Sequence, residues 1–598
     1  MLSVFKKKKR ISQKDIREIV AVEFDEQFYK TNYDFLVTDL EPLDHFLEIG
    51  CKDGLNPNEW FSVNDYLNEN PDVAATGVNP FFHYLYYGKK ENRSIGVNSE
   101  NTVLTSLRQL VPLADEVDDI EFDDSRYFKE AKKILEAKVF DTKKWLKWGK
   151  ALPKIESPHP SIKSFLEVAA GTPKGNEALL VGWVIHQPNS ILWVEDEDGN
   201  PFFFDKSYRK FRQDVYDAFL EDMINSITDT GFLLKLTGIK PGSPVFIKAL
   251  SSQGSHDVAS IQLTTVESNP KSLAEWLFTV DSPMSELPER FTKIDWPIIE
   301  EMIAERHASI SHMPVKVTEY GQNESIEVSM VIPLYGRIDF IEGQMVSFVQ
   351  DGFISQKCEL IYVIDDPALV EPIKELAKNL YQLYQVPFKV IFGGANRGFS
   401  GANNLGAENA RGKHLLFMNS DVFPQKTGWL QQMVETLEQN PNLGVIAPRL
   451  LFADGSIQHA GMEFRFRSDL GVWINHHPNM GLDPALDQYK ELTVLPAVTG
   501  ACMLISREDF DEIGGWDTGY LIGDFEDSDF CLKLQTAGKE CGYLPTVELT
   551  HLERQSFGLT GTPDFRTKVV ILNATRHQNR WLQLIEKHAN NTQNRRAN

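Results

Sequence analysis

From Ile326 onward, short apolar runs alternate with helical stretches, and several of the runs end in polar or acidic residues. That alternation is the signature of βα units in a mostly parallel sheet. It constrains the chain more than any other feature, because ligands of such sheets bind beyond the carboxyl ends of the strands. Val328–Leu334 ends in Pro333-Leu334-Tyr335, Leu360–Ile364 in Asp365-Asp366, Lys413–Met418 in Asn419-Ser420-Asp421, and Val547–Thr550 in His551. These ends are expected to converge on one crevice. Asp365-Asp366 also reads as a helix N-cap and its neighbour, since Pro367 follows.

After the run Phe388–Phe392 comes Gly393-Gly394-Ala395-Asn396-Arg397-Gly398, just ahead of a helical stretch. Glycines before a helix allow close backbone approach, exposed N–H groups there attract anions, and Arg397 adds a positive charge, which suits a nucleotide diphosphate. The segment has neither the G-K-[ST] of a Walker loop nor the G-x-G-x-x-G of a dinucleotide fold. A carboxylate at a strand end beside a diphosphate, Asp421, suits Mg²⁺ or Mn²⁺, and His551 is the candidate for an added ligand. Gly514-Gly515-Trp516-Asp517 precedes Gly523-Asp524-Phe525-Glu526-Asp527-Ser528-Asp529, where a helix begins. Acids in a first turn are stabilised by the helix dipole, and one of them could equally serve as a general base toward an acceptor hydroxyl.

The rest of the chain is organised differently. Phe24…Tyr29…Asp34…Pro42…His45…Gly50 recurs as Phe61…Tyr66…Asp72…Pro80…His83…Gly88, which predicts two small helical units covering each other's apolar faces. His45 and His83 are read as packing or capping residues. Seven of the ten residues Asp115–Asp124 are acidic, a self-repelling run that reads as a solvated linker. From about Lys174 the texture becomes short strand-like runs broken by Asp198-Gly199 and Pro241-Gly242, which predicts a β-sandwich with a helix near Tyr208–Ile227. The expected boundaries are a basic tail 1–20, a helical repeat module 21–100, an acidic and helical linker 101–173, a β-sandwich 174–268, a helical linker 269–325, the α/β domain 326–590 and a tail 591–598.

Composition narrows the function classes. With a net charge of −24 over 598 residues, most of the surface repels polyphosphate backbones, so general nucleic-acid binding is excluded. Five cysteines without a C-x-x-C pair argue against a disulfide framework or zinc ribbon and for a reducing, cytoplasmic setting. No run approaches the roughly 18 apolar residues of a membrane span. The basic stretch Lys6–Arg10 could at most assist a peripheral contact with an anionic membrane.

With these motifs in hand, Ile326 to about Lys587 resembles a family 2 glycosyltransferase of the GT-A fold, similar in pattern to bacterial rhamnosyltransferase-like members. The motifs carrying it are Val331–Tyr335, Asp365-Asp366, Asn396–Asn404, Asn419–Asp421, and Gly515–Asp517 with Glu526-Asp527 ahead of His551. The repeats resemble units found ahead of bacterial polysaccharide glycosyltransferases. The resemblance implies a C-terminal α/β GT-A domain (Rossmann-like, mostly parallel sheet) with a central β-sandwich and N-terminal small helical repeats as accessories. It implies that Pro333, Tyr335, Asp365, Asn396, Arg397, Gly398 and Asn419 line the nucleotide pocket. Asp421 and His551, with Ser556 beyond, would hold Mn²⁺ or Mg²⁺, Asp527 would be the base supported by Glu526, and Trp516 and Asp517 would meet the acceptor. The implied donor is a dTDP-, UDP- or GDP-sugar and the acceptor a glycan or lipid-linked glycan in surface polysaccharide synthesis, at the inner face of the cytoplasmic membrane. Asp365-Asp366-Pro367-Ala368 departs from the family's usual second motif, and Gln578-Asn579-Arg580-Trp581 is one residue short of the Q-x-x-R-W of processive synthases. A nucleotidyltransferase and a catalytically silent glycan- or partner-binding protein are the competing expectations.

Overall fold

A computed structural model describes residues 13–32, 41–52, 55–58, 60–70, 73, 78–89, 93, 126–173, 177–219, 222–223, 226–266, 269–280, 282–552 and 562–597. The tail Lys6–Arg10, the acidic run 115–124 and Ser556 lie outside the described residues. The chain divides into two units, Met1–Phe122 and Asp123–Asn598.

In the first unit the two repeat copies fold alike. Each has a short α-helix, Pro42–His45 or Pro80–His83, that runs into a π-helical turn, Phe46–Gly50 or Tyr84–Gly88. The Tyr29 hydroxyl lies 3.0 Å from Nδ1 of His45, and that of Tyr66 lies 2.9 Å from Nδ1 of His83. A β-carbon on Gly50 would stand 1.9 Å from the Tyr29 hydroxyl oxygen, and one on Gly88 would stand 2.6 Å from that of Tyr66. The Tyr, His and Gly spacing is therefore a packing device. Phe46, Phe61, Tyr66 and Phe81 share one core drawn from both copies, which neither could bury alone.

The second unit opens with helices Arg126–Leu135 and Thr142–Ala151, followed by two five-stranded sheets. One contains Leu192–Asp196, Pro244–Ser251 and Gly254–Gln262, the other Lys163–Gly171, Glu177–Ile185 and Gly231–Thr237. Leu180, Val184, Phe232, Val194 and Ile247 close the core between them. Of the helix expected near Tyr208–Ile227, Tyr208–Lys210 instead joins a sheet edge, and among the described residues Gln213–Ala218 is the helical part. The stretch 269–325 is no loose connector. Its helices, including α1 (Trp296–Ser311), bring Phe291, Ile298 and Ile299 between sandwich residues Leu179, Val181 and Leu233 and the C-terminal helix residues Phe565, Ile571 and Leu572.

The last part is a sheet of β1 (Lys316–Tyr320), β2 (Val328–Leu334), β3 (Cys358–Ile364), β4 (Phe388–Phe392), β5 (His414–Met418), β6 (Val422–Pro424), β7 (Leu443–Leu451), β8 (Ile457–His459), β11 (Thr493–Leu495), β12 (Cys502–Ser506) and β13 (Glu540–His551). A separate hairpin, β9 (Glu463–Arg467) and β10 (Val472–His476), stands beside it. The sheet order is β1-β4-β3-β2-β5-β12-β7-β13-β6, with β8 on β7 and β11 on β13. Strands β2 and β3 are mostly apolar because both faces are covered: Met330, Ile332, Leu360 and Tyr362 face one core, while Val331, Ile361 and Val363 face the other, and the buried Ser329 and Glu359 hydrogen-bond to each other. Helices α2 (Phe340–Val349), α3 (Gly398–Glu408), α4 (Glu526–Thr536) and α5 (Pro563–Ala597) complete the layers.

The expectation of a mostly parallel sheet is corrected here. Among the described residues four pairings are parallel and six antiparallel. The excursion from β8 through residues 460–501 returns the chain to the end where β5 finishes. β12 must then run back, antiparallel to both β5 and β7.

Candidate active site

The carboxyl ends of β2, β3 and β5 lie side by side, since β2 pairs in parallel with both β3 and β5. Beyond β5, Asn419-Ser420-Asp421 forms a turn held from beneath by the buried Gln344 of α2. Its amide donates to the carbonyls of Asn419 and Val422, both at 3.1 Å. β13 ends next to it, with His551 paired to Val422. Nε2 of His551 stands 3.2 Å from Oδ1 of Asp421 and 3.5 Å from the Asn419 amide nitrogen. Nδ1 of His551 lies 2.7 Å from Oε1 of Gln458 on β8. That acceptor makes Nδ1 the protonated nitrogen and turns the Nε2 lone pair toward Asp421.

With the ring neutral these two atoms are both acceptors, an arrangement that a cation would complete, and an imidazole nitrogen with a carboxylate oxygen suits Mn²⁺ or Mg²⁺. Among the described residues no group of three or more His, Cys, Asp or Glu side chains forms a complete metal cage. An ion here would take its other ligands from water and from its substrate.

Asp365 sits at the end of β3 and is buried. It accepts from the Arg397 N–H at 2.6 Å and from the Asn396 amide at 3.1 Å, with Gly398 N–H a further donor. Burial still pushes its carboxyl up to about 7, against the pull of those donors. The N-terminus of α3 is thus met by a carboxylate of the chain itself, which corrects the expectation of N–H groups left open to an anion. Arg397 is likewise committed: its Nη2 donates to the carbonyls of Ile310 at 3.1 Å and Gly393 at 2.9 Å. Arg306 of α1 reaches the carbonyl of Asn396 at 3.2 Å, so the helix read as linker buttresses this loop. Gly398 starts α3 at φ 71, a left-handed conformation that favours glycine. Asp366 is an N-cap, accepting from Ala368 N–H at 3.0 Å. Pro333 is partly buried on β2 and Tyr335 is exposed at its end.

Glu526 and Asp527 open α4. Asp527 accepts from Gly500 N–H at 3.2 Å and Ser528 N–H at 2.8 Å, and the Thr499 hydroxyl adds a further hydrogen bond. Burial raises its carboxyl above the ordinary range, and Glu526, buried among Asp524, Asp527 and Asp529, is raised further. The approach to α4 is strained: Ile522, Asp524 and Phe525 have φ of 65, 75 and 74. Non-glycine residues there cost about 1–2 kcal/mol each. Asn573 of α5 holds this turn, accepting from Leu521 N–H at 3.1 Å and donating to the carbonyls of Leu521 and Gly523.

Trp516 and Asp517, the pair expected to meet an acceptor, make their contacts within the chain. Trp516 is 2% exposed, stacked on Phe530 with centroids 4.4 Å apart and edged by Phe399 and Phe417. Asp517 is paired with Arg576 at 3.0 Å and Arg580 at 2.7 Å. Trp516 is thus enclosed in one apolar cluster, where its Nε1 has no hydrogen-bond partner among the described residues, and Asp517 is held by two guanidinium groups.

Residues 329–514 match the model of glycosyl transferase family 2. The chain carries a family 2 glycosyltransferase domain. The matched stretch runs from β2 through β12, with Asn419–Asp421 at the end of β5. The domain is similar to the uncharacterized protein y4gI of Sinorhizobium fredii (34% identical over 28% of this chain and 18% of that protein). It is also similar to the O-antigen biosynthesis protein RfbC of Myxococcus xanthus (28% identical, 27% of this chain and 12% of that protein). A third relative is the N-acetylglucosaminyl-diphospho-decaprenol L-rhamnosyltransferase of Mycobacterium tuberculosis (22% identical, 27% of this chain and 52% of that protein). The chain therefore spans about half the length of the last and under a fifth of the first two. Gln344, Gln458, Arg306 and Asn573, which support the groups of the candidate site, were not singled out from sequence. None belongs to a recognisable spacing, and each matters only through what tertiary folding sets beside it.

Proposed function

We propose that the protein moves a hexose from a nucleoside-diphosphate sugar (dTDP-, UDP- or GDP-linked) to a glycan or lipid-linked glycan, inverting the anomeric carbon, in bacterial surface polysaccharide synthesis. The setting is the cytoplasm, at the inner face of the membrane. The observation that carries this reading is the Asp421–His551 acceptor pair, joined through one short backbone segment, Thr499–Ala501, to the proton-affine Asp527. Support for the polysaccharide role comes from the relatives named for O-antigen biosynthesis and for rhamnosyl transfer.

Asp527 takes the proton of the acceptor hydroxyl as that oxygen bonds to the anomeric carbon and the bond to the nucleoside diphosphate breaks. A raised carboxylate pKa brings its basicity closer to working pH. Glu526, whose carboxyl burial raises, stands beside Asp527 and shapes the field around it. Asp421 and His551 would hold Mn²⁺ or Mg²⁺, which when bound supplies positive charge beside the departing diphosphate. Asn396 and Asp365 shape the wall of the nucleotide pocket and Tyr335 offers an exposed ring at its mouth. No helix among the described residues is long and apolar enough to cross a membrane, so a lipid-linked acceptor would be met at the surface.

The deciding experiment is thermal stability with UDP, dTDP and GDP, with and without Mn²⁺, on the wild type and Asp421→Ala. It is followed by product analysis with the matching sugar nucleotides. A ligand at about 100 times its Kd adds roughly 2.7 kcal/mol. Metal-dependent stabilisation by one nucleotide, lost in the variant, with nucleoside diphosphate released on turnover is the expected outcome. Release of pyrophosphate would assign a nucleotidyltransferase instead, and no stabilisation by any nucleotide would leave a silent scaffold.

A further inference from the structure

The Thr499–Ala501 segment touches both halves of the site. The carbonyl of Ala501 accepts from Asn419 N–H at 2.9 Å, while Gly500 N–H and the Thr499 hydroxyl hold Asp527. A β-carbon on Gly500 would meet Trp516 at 3.0 Å and Asp527 at 3.3 Å, so the segment lies tight against α4 and is anchored from its other side. That anchor is His459, the residue after Gln458 on β8. Its Nε2 accepts from Thr499 N–H at 3.2 Å and from Gly461 N–H at 3.2 Å. Two backbone donors on Nε2 leave that nitrogen without a hydrogen, so the neutral ring carries it on Nδ1, 3.2 Å from Nδ1 of His477. The ring is 2% exposed. Burial, with His477 and His551 nearby, holds its pKa well below the usual histidine range. A protonated or displaced ring would orphan two buried N–H groups.

We propose that His459 is a positioning residue for the base: its Nε2 anchors Thr499 so that Thr499 and Gly500 present Asp527 beside the strand end carrying Asn419 and Asp421. Gln458 and His459 then divide the work of one short strand, the first orienting His551 and the second orienting the holder of Asp527. The inference rests on the transferase reading for the identity of the base, but the anchoring itself does not depend on it.

The test compares His459→Met, which fills the space without an acceptor there, with His459→Gln, whose amide oxygen restores one near the position of Nε2. Hydrogen exchange is read on the amides of Thr499–Ala501 and, as reference, on β2 and β3, in the full chain. Sugar transfer is followed against pH. The titratable groups beside Asp527 (Glu526 and Cys531) and beside His459 (His477, His551 and Tyr543) are left unchanged.

In the Met variant, protection at 499–501 is expected to fall at least about ten-fold with β2 and β3 unaltered, a local opening and not a global one. kcat should fall about 10²-fold, and its acid limb should move to higher pH because lost N–H donors no longer favour the carboxylate. The Gln variant should recover both. Unchanged protection and an unchanged acid limb in the Met variant overturn the proposal, as does a uniform loss of protection that Gln fails to rescue. If the wild type transfers no sugar at all, the transferase reading fails, and the exchange comparison still decides whether His459 anchors the segment.

Discussion

Asp527 and Asp365 are both carboxylates whose protons are held more tightly than usual, yet their partners give them different roles. Asp527 is gripped only by backbone N–H groups and a hydroxyl, so Asp527→Asn should keep fold and nucleotide binding while kcat drops about 10²-fold or more, measured by single-turnover transfer. Asp365 braces the 396–398 loop. Its folded pKa of about 7 lies above the unfolded carboxylate value, so the native state binds more protons between the two and stability falls as pH rises through that window. Asp365→Asn removes this slope: relative to the wild type, its melting temperature should rise from about pH 4 to about pH 7. Gln458→Leu should weaken Mn²⁺ binding about 10–100-fold, read by titration calorimetry, since an orienting partner of a ligating imidazole is lost. The placement of Asp421 and His551 at strand ends and of Asp527 at a helix start was legible in the sequence because such ends announce themselves locally. Gln458 and Arg306 were not, since their roles come from contacts across 93 and 90 residues. Nor was the setting of Trp516, because the rings that enclose it, Phe399, Phe417 and Phe530, come from distant stretches of the chain.

Between elements, the tie that matters most joins α4 to α5. Asp529, fully buried, accepts from the Tyr520 hydroxyl at 2.9 Å, Trp581 Nε1 at 2.7 Å and Arg580 at 2.9 Å. Burial raises its pKa and Arg580 opposes that rise. Arg580→Met therefore leaves a buried carboxylate without its cation and should destabilise by about 3 kcal/mol or more in chemical denaturation, since breaking a buried pair costs about 3–5 kcal/mol. The βα alternation fixed the existence of β2 to β5 from their apolar runs alone. The direction of β12 was not readable that way, because Cys502–Ser506 has the same apolar texture whichever way it runs. Only the path of residues 460–501 decides it.

For the second unit as a whole, sandwich, helical layer and glycosyltransferase domain share one apolar cluster. Phe291 is fully buried in it, so Phe291→Ala should cost about 3–5 kcal/mol and lower the melting of sandwich and glycosyltransferase signals together, which differential scanning calorimetry would show as a single shifted transition. The sequence marked the sandwich by its turn signals but could not show that it is welded to its neighbour, because a helix buried on two sides reads much like one buried on one. Asn573, Arg576 and Arg580 all lie on α5, more than 40 residues after Asp527, and they hold the strained turn, Asp517 and Asp529 respectively. A chain cut short ahead of α5 would lack all three of these side chains. On the proposed reading, Asp527 would then sit in an unbraced turn while the strand ends were already in place, so competence would arrive only with α5.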